Sequence, residues 1–285
     1  MDKLLALALT GACGMAAAQT PATNPMPDGS RDMYVGLGAV SAPRYEGGRE
    51  RRTAALPVLQ VEWSNGVFVS GMSAGMHLSA QPALEYGPLL GVLAGRDDAG
   101  SARGLGGIDS GVGMTALVPP LSIRTRYAAT RLTGMDQIGY RLQAGGFFNV
   151  YLSPTVRLTN SLLYGSGHER NGLRWSVDLQ RLALPLATHH ALSLTAGLTL
   201  ANGADSQSYF GVSSAEAAQS INPAYRAGGG LRDAHLGARW NWALAPAWML
   251  TSTLKASRLL GSAKDSPLTE RPTNVTVSTA IAYRF

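Results

Sequence analysis

Residues 274–285, the last of the chain, restrict its fold more than any other stretch. Val275, Val277, Ile281, Tyr283 and Phe285 share one parity with Thr279, while Asn274, Thr276, Ser278, Ala280, Ala282 and Arg284 share the other. Successive side chains of a β-strand point to opposite faces, so the segment is a strand with one apolar face and one small or polar face.

The same alternation recurs upstream. Candidate strands cover 33–41, 53–63, 84–94, 108–118, 121–127, 138–144, 156–164, 173–180, 192–200, 233–244 and 248–257, with a poorly patterned, Gly-rich candidate at 67–79. Between two of them, Ser64-Asn65-Gly66 is a hairpin turn, because Asn-Gly tolerates the positive φ that a tight turn demands. With 274–285 the candidates number thirteen. A bacterial barrel with both ends in the periplasm needs an even number. The expectation is therefore an all-β, antiparallel, up-and-down transmembrane barrel of about twelve strands, ten being the lower count, with the error placed within 33–79.

Composition agrees by exclusion. At 45% apolar and 15% charged, the chain carries too much apolar surface for disorder. No apolar run reaches about 18 residues, which removes a helical membrane protein, whereas the alternation of a membrane barrel averages out in any hydropathy window. The formal charge is +6. Arg is scattered apart from Arg49, Arg51 and Arg52, and no zinc-finger spacing or RNA-binding aromatic motif accompanies it, so nucleic acid is not an expected partner. Arg contacts to phosphates of outer-membrane lipid and lipopolysaccharide account for the balance better, since guanidinium forks onto phosphate oxygens.

Residues 1–18 read as a secretory leader: Met1-Asp2-Lys3, an apolar stretch at 4–12, then Ala16-Ala17-Ala18 before the cut. Cys13 lies inside the leader, and Thr10 stands where a lipoprotein signal wants an aliphatic residue. Cleavage after Ala18 leaves no thiol for disulfide or redox chemistry. Residues 19–32, with Pro21, Pro25 and Pro27, are expected to be a flexible periplasmic tail, and 33–285 the barrel.

Connection lengths set the sidedness. Short turns at 153–154, 188–190 and 245–246 fall on the periplasmic side, and long loops at 96–107, 165–172, 202–231 and 261–273 fall outside. Trp63, Tyr86, Tyr127, Tyr140, Tyr164, Trp175, Trp240, Trp248 and Tyr283 all belong to the outward parity, many near strand ends, as an interfacial girdle requires. A soluble sandwich has no reason to repeat that. The localisation expected is the outer membrane of a Gram-negative cell.

The closing strand and its aromatic terminus resemble the last strand of outer-membrane barrels, which implies recognition by barrel-assembly machinery. The chain as a whole resembles the MipA/OmpV family, named after a murein-transglycosylase-interacting protein. The resemblance is carried by Tyr209-Phe210-Gly211-Val212-Ser213, Glu216-Ala217, Ser220 and Tyr225, then Arg258-Leu259-Leu260-Gly261, Asp265-Ser266-Pro267 and Tyr283-Arg284-Phe285. Val35-Gly36-Leu37-Gly38, Pro43, Tyr45-Glu46-Gly47 and Leu56-Pro57 fit near the start. Ser220-Ile221-Asn222-Pro223-Ala224-Tyr225 and Gly261-Ser262 depart from the usual Ser-Gly-Leu-Pro and Gly-Asp. The resemblance implies a non-enzymatic scaffold or adaptor holding a lytic transglycosylase near a murein synthase, with no cofactor. The expected periplasmic surface is small for such a task, since stable interfaces bury about 800 Å² per side.

Three local features carry other readings. Ser213 and Glu216 stand at capping-box spacing, so 213–220 is a short helix in the longest loop, either plugging the mouth or merely packing the loop. The predicted lumen carries Arg124, Arg126, Arg141, Arg157, Arg174, Arg239, Lys255 and Arg284 against Glu62, Glu85, Asp109, Asp178 and Asp233. That set makes either a narrow channel with anion preference or a paired network filling the interior. Enzymatic signals are thin. Ser166, His168 and Glu169 share a loop without the convergence a hydrolase needs, His189-His190 has no third metal ligand nearby, and Arg170 breaks the dinucleotide pattern begun at Gly165-Ser166-Gly167.

Overall fold

The computed structural model describes residues 31–79, 81, 83–98, 100–101 and 130–285. The strands in chain order are β1 (Arg31–Pro43), β2 (Arg51–Glu62), β3 (Val67–Ser70), β4 (Ser73–Met76), β5 (Leu84–Leu93), a small hairpin β6 (Arg96–Asp97) and β7 (Gly100–Ser101), β8 (Arg141–Ser153) and β9 (Val156–Ser166). They continue with β10 (Gly172–Ala187), β11 (His190–Ala201), β12 (Gly230–Ala245), β13 (Trp248–Leu259) and β14 (Thr273–Arg284), and the outer loops add helices α1 (Gly203–Phe210), α2 (Ser214–Gln219) and α3 (Gly261–Lys264). All strands except β6 and β7 form one closed antiparallel barrel of twelve.

Closure is made by β1 against β14, from Tyr34↔Arg284 to Ser41↔Val277. A Cβ built on Gly36 or Gly38 would lie 2.3 Å from the carbonyl oxygen of Ile281 or Thr279, so glycine is what lets the seam approach. Among the described residues each barrel strand has a neighbour on both sides, β2 meeting β3 only over Gln60–Glu62.

Alternation sorts the faces. Leu142 is 67% exposed and its neighbour Gln143 only 4%. Leu37, Leu162, Leu198, Leu236, Leu254 and Ile281 are exposed in the same way. Such a surface is unfavourable in water and natural against hydrocarbon, where ladder pairing satisfies wall peptide groups internally. Trp63, Tyr86, Trp242, Trp248 and Tyr283 ring the end that carries the short turns, and Tyr140, Tyr164 and Trp175 the end that carries the loops. The Trp248 and Tyr283 rings pack edge to face at 5.1 Å, across a strand pair.

The strand number is as expected, but its composition differs. The weak candidate at 67–79 is two strands, β3 and β4, of four residues each, turning at Gly71 with φ 57°. The candidates at 108–118 and 121–127 lie outside the described residues, and β5 pairs directly with β8 from Leu84↔Val150 to Leu93↔Arg141. The candidate at 138–144 begins too early: Ile138 is a loop residue, 2% exposed and bridged to Arg96, and β8 runs on through Gly145 and Gly146.

The interior is not polar throughout. Val40, Leu56, Val58, Ala280 and Ala282 point inward and pack together across β1, β2 and β14, and Leu89 is buried on β5. Reading alternation as apolar-out hides these positions, because strands β1, β2 and β14 are apolar or small on both parities there.

Candidate functional site

The outer loops fold over the barrel mouth as a lid with cores of its own. Tyr45, Leu132, Met135, Val212 and Leu268 form one cluster, and Phe210, Ala227, Leu259 and Ala263 a second. Helix α1 starts where the Asn202 side chain accepts the Asp205 amide at 2.9 Å, a normal N-cap bond. The same oxygen accepts the Leu173 amide at 3.0 Å, and the Asn202 amide group donates to the Asn171 carbonyl at 2.9 Å. One side chain thus both starts the helix and ties it to the rim of β10.

That start places Asp205, which is 0% exposed, over the lumen wall. Its carboxylate accepts Arg174 Nε at 2.7 Å, Arg232 at 3.1 Å and the Ser166 hydroxyl at 2.6 Å. Arg232 also pairs with Glu46 in the loop after β1. Tyr209 lies against three guanidiniums, Arg174 at 4.8 Å, Arg232 at 5.7 Å and Arg96 at 5.8 Å from its ring centre. Arg96 donates to the carbonyls of Tyr209 at 2.6 Å and Ser208 at 3.3 Å. Around Asp205 and Tyr209 the lid is therefore joined to segments that begin or end β1, β5, β9, β10 and β12.

Burial works to raise the Asp205 carboxyl, but Arg174 and Arg232, then the Ser166 hydroxyl, outweigh it and hold the group below the ordinary carboxylate value. Glu216 behaves alike: burial raises it, and the amides of Ser213 (2.8 Å) and Asp136 (3.0 Å) bring it down further. His168 is pulled below its ordinary value by burial and then by the Arg96 charge.

Beneath the lid lies a chamber of about 400 Å³ inside the barrel. Tyr209 and Phe210 roof it. One flank carries Asp178, His235, Asp233, Lys255 and hydroxyls such as Ser161, Thr199 and Thr253, and the other carries Val40, Ala42, Met72 and Leu93. His235 sits between two carboxylates, with Nε2 at 2.6 Å from Asp178 and Nδ1 at 3.0 Å from Asp233. Both nitrogens can donate at once only as imidazolium.

A family model described as "MltA-interacting protein MipA" matches residues 35–285. The chain belongs to the MipA family. A search of curated protein sequences found no match. Among solved structures, the MipA-family barrel is similar to a bacterial polysaccharide outer-membrane secretin (11% identity, covering 89% of this chain and 98% of that one, TM-score 0.43). It is also similar to OmpT of Vibrio cholerae (8%, 92% and 99%, 0.32) and to the toluene transporter TodX of Pseudomonas putida (10%, 95% and 93%, 0.34). At such identities the likeness is one of fold alone. The protein is an outer-membrane β-barrel.

In this MipA-family barrel the sequence candidates separate clearly. Ser166 is fully buried and donates to Asp205, not to His168, whose amide is held by the Ser208 hydroxyl at 3.0 Å. Gly165 and Gly167, at φ 122° and 82°, shape the loop that carries them. His190 stacks on Trp240 and Trp242 at 5.5 and 5.2 Å, while His189 occupies the turn at φ 66°. Among the described residues no group of three His, Cys, Asp or Glu side chains is arranged to hold a metal ion.

The lumen charges are mostly networked. Arg157 lies 3.6 Å from Glu85 and donates to Gln180 and to the Tyr151 hydroxyl, which in turn donates to Glu85 at 2.8 Å. Arg174 serves the lid, and Arg141 donates to the rim carbonyls of Gly167 and His168. Arg124, Arg126 and Asp109 lie outside the described residues.

The helix at 213–220 is α2, with both bonds of its capping box formed, yet α1 is the segment bonded across the mouth. Sequence reasoning missed α1. Its signal was Asn202 followed three residues on by Asp205, an N-cap with an acid in the first turn.

Proposed function

We propose that this protein is a non-enzymatic scaffold or adaptor that holds a murein lytic transglycosylase, and with it a murein synthase, at the inner surface of the outer membrane. The description of the family as MltA-interacting is the observation that carries the reading. The lid supports it: a mouth bonded shut around a buried Asp205 suits an anchored platform better than an open pore. The turns at the periplasmic end, including 63–66, 153–156 and 245–248, are the described surface such a partner meets.

Photocrosslinkers placed at Asn65, Ser153 and Ala247 test this in native membranes. Adducts to a lytic transglycosylase support the scaffold, and adducts to lipid or assembly factors alone contradict it. The alternative, a narrow channel with anion preference, requires the lid to leave the mouth. Steady conductance in planar bilayers from the unmodified protein would favour that alternative.

A further inference from the structure

The chamber beneath the lid holds hydrogen-bond donors with nothing to answer them. Gln143, 4% exposed on β8, lines the chamber and its Nε2 has no hydrogen-bond partner. Lys255, half-buried on β13, also lines it, and its charge is felt by Asp233 and His235. The Nε of Arg232, at the chamber roof, is a second unanswered donor. Burying a donor without an acceptor is costly, and two such groups around one space is not how a solid interior is built.

The local carboxylates already have partners. Asp178 and Asp233 face the two ring nitrogens of His235, and Asp205 is shared among Arg174, Arg232 and Ser166. An oxygen brought into the chamber would answer Gln143 and Arg232, and Lys255 supplies a positive charge to meet an anionic one.

We propose that this chamber binds a small, oxygen-rich organic anion of about monosaccharide size, whose carboxylate or phosphate Lys255 meets while Gln143 donates to a second oxygen. The volume, about 400 Å³, lies toward the lower end of ligand sites, which run to roughly 300–1,000 Å³. The apolar flank at Met72 and Leu93 gives the carbon skeleton a surface to lie on, and the hydroxyls of Thr199 and Thr253 can donate or accept. The site is independent of the scaffold role, since it lies inside the barrel and no murein enzyme need touch it.

Calorimetric titration of the refolded barrel in detergent, with glucuronate as probe and glucose as the uncharged control, tests the proposal. Saturable binding of glucuronate with none for glucose is expected. Lys255→Gln and Gln143→Leu should each weaken glucuronate by about tenfold or more, as loss of a charged or buried donor implies, and Lys255→Arg should retain it. Absence of saturable glucuronate binding, equal binding of glucose, or unchanged affinity in the folded Lys255→Gln variant would each overturn it. The comparison of the two sugars needs no variant, so a substitution that prevents folding does not remove the test.

Discussion

Arg174 and Asp205 meet at 2.7 Å, one on a strand of the barrel wall and the other on a helix of an outer loop, with the carboxylate fully buried. This contact is where wall and lid become one body. Breaking a buried pair by removing one partner costs about 3–5 kcal/mol, because the other charge stays behind without compensation. Asp205→Asn should therefore lower the unfolding free energy of the lid by about that amount and open 202–229 to protease, Arg174 losing its carboxylate and Arg232 keeping only Glu46. Asp265→Asn is the control. Its pair with Lys264 at 3.4 Å is exposed, and its loss should change stability by about 1 kcal/mol or less.

Acid should release the lid. Asp205 and Glu216 sit below their ordinary values, so the stability they contribute is complete above the usual carboxylate range, near about pH 4, and is lost as pH falls through the depressed values. His168 is also depressed, so its contribution is complete above about pH 6.5 and is lost as pH falls through its lowered value. All three signs agree. Hydrogen exchange at 202–229 should stay slow near neutrality and accelerate stepwise on acidification, first as His168 charges. Exchange that accelerates toward alkaline pH, beyond the intrinsic chemical rate, contradicts the assignment.

The seam is the place where barrel closure is most sensitive to a single atom. Gly38→Val puts a branched side chain where a Cβ alone would lie 2.3 Å from the Thr279 carbonyl. The variant should fail to give the fast-migrating, heat-modifiable band of a closed barrel on unboiled gels. Gly228→Ala, with open space around its Cβ, should fold normally.

A smaller effect belongs to α2. Ser213 accepts the Glu216 amide at 3.2 Å and Glu216 accepts the Ser213 amide in return. Ser213→Ala should cost about 1 kcal/mol of lid stability, read as an earlier protease cut near 213 with no change in the barrel transition.

Most of the wall was legible because alternation is a local signal. Leu142 and Gln143 declare their faces from sequence alone, as do the pairs along β13 and β14. The hairpin of β3 and β4 was not, since four residues with Gly71 and Gly75 give too few side chains to show a period. The site was less legible still. Asp205 meets Arg174 and Arg232 across 31 and 27 residues of sequence, and nothing local to any of them announces the others. Lumen charges could be named from parity, but whether each finds a partner depends on strand register. Arg157 finds Glu85 through the pairing of β5, β8 and β9, a relation that no single segment contains.

The account rests on a wall whose successive residues face lipid and lumen in turn. Nitroxide labels placed singly along 251–257 of β13, in the barrel reconstituted into bilayers, measure this directly through collision with oxygen and with a water-soluble nickel chelate. Labels at Ser252, Leu254 and Ala256 should collide mainly with oxygen, and those at Thr251, Thr253 and Lys255 should lose that preference. A profile without a period of two, or with the opposite phase, would contradict the barrel and everything built inside it.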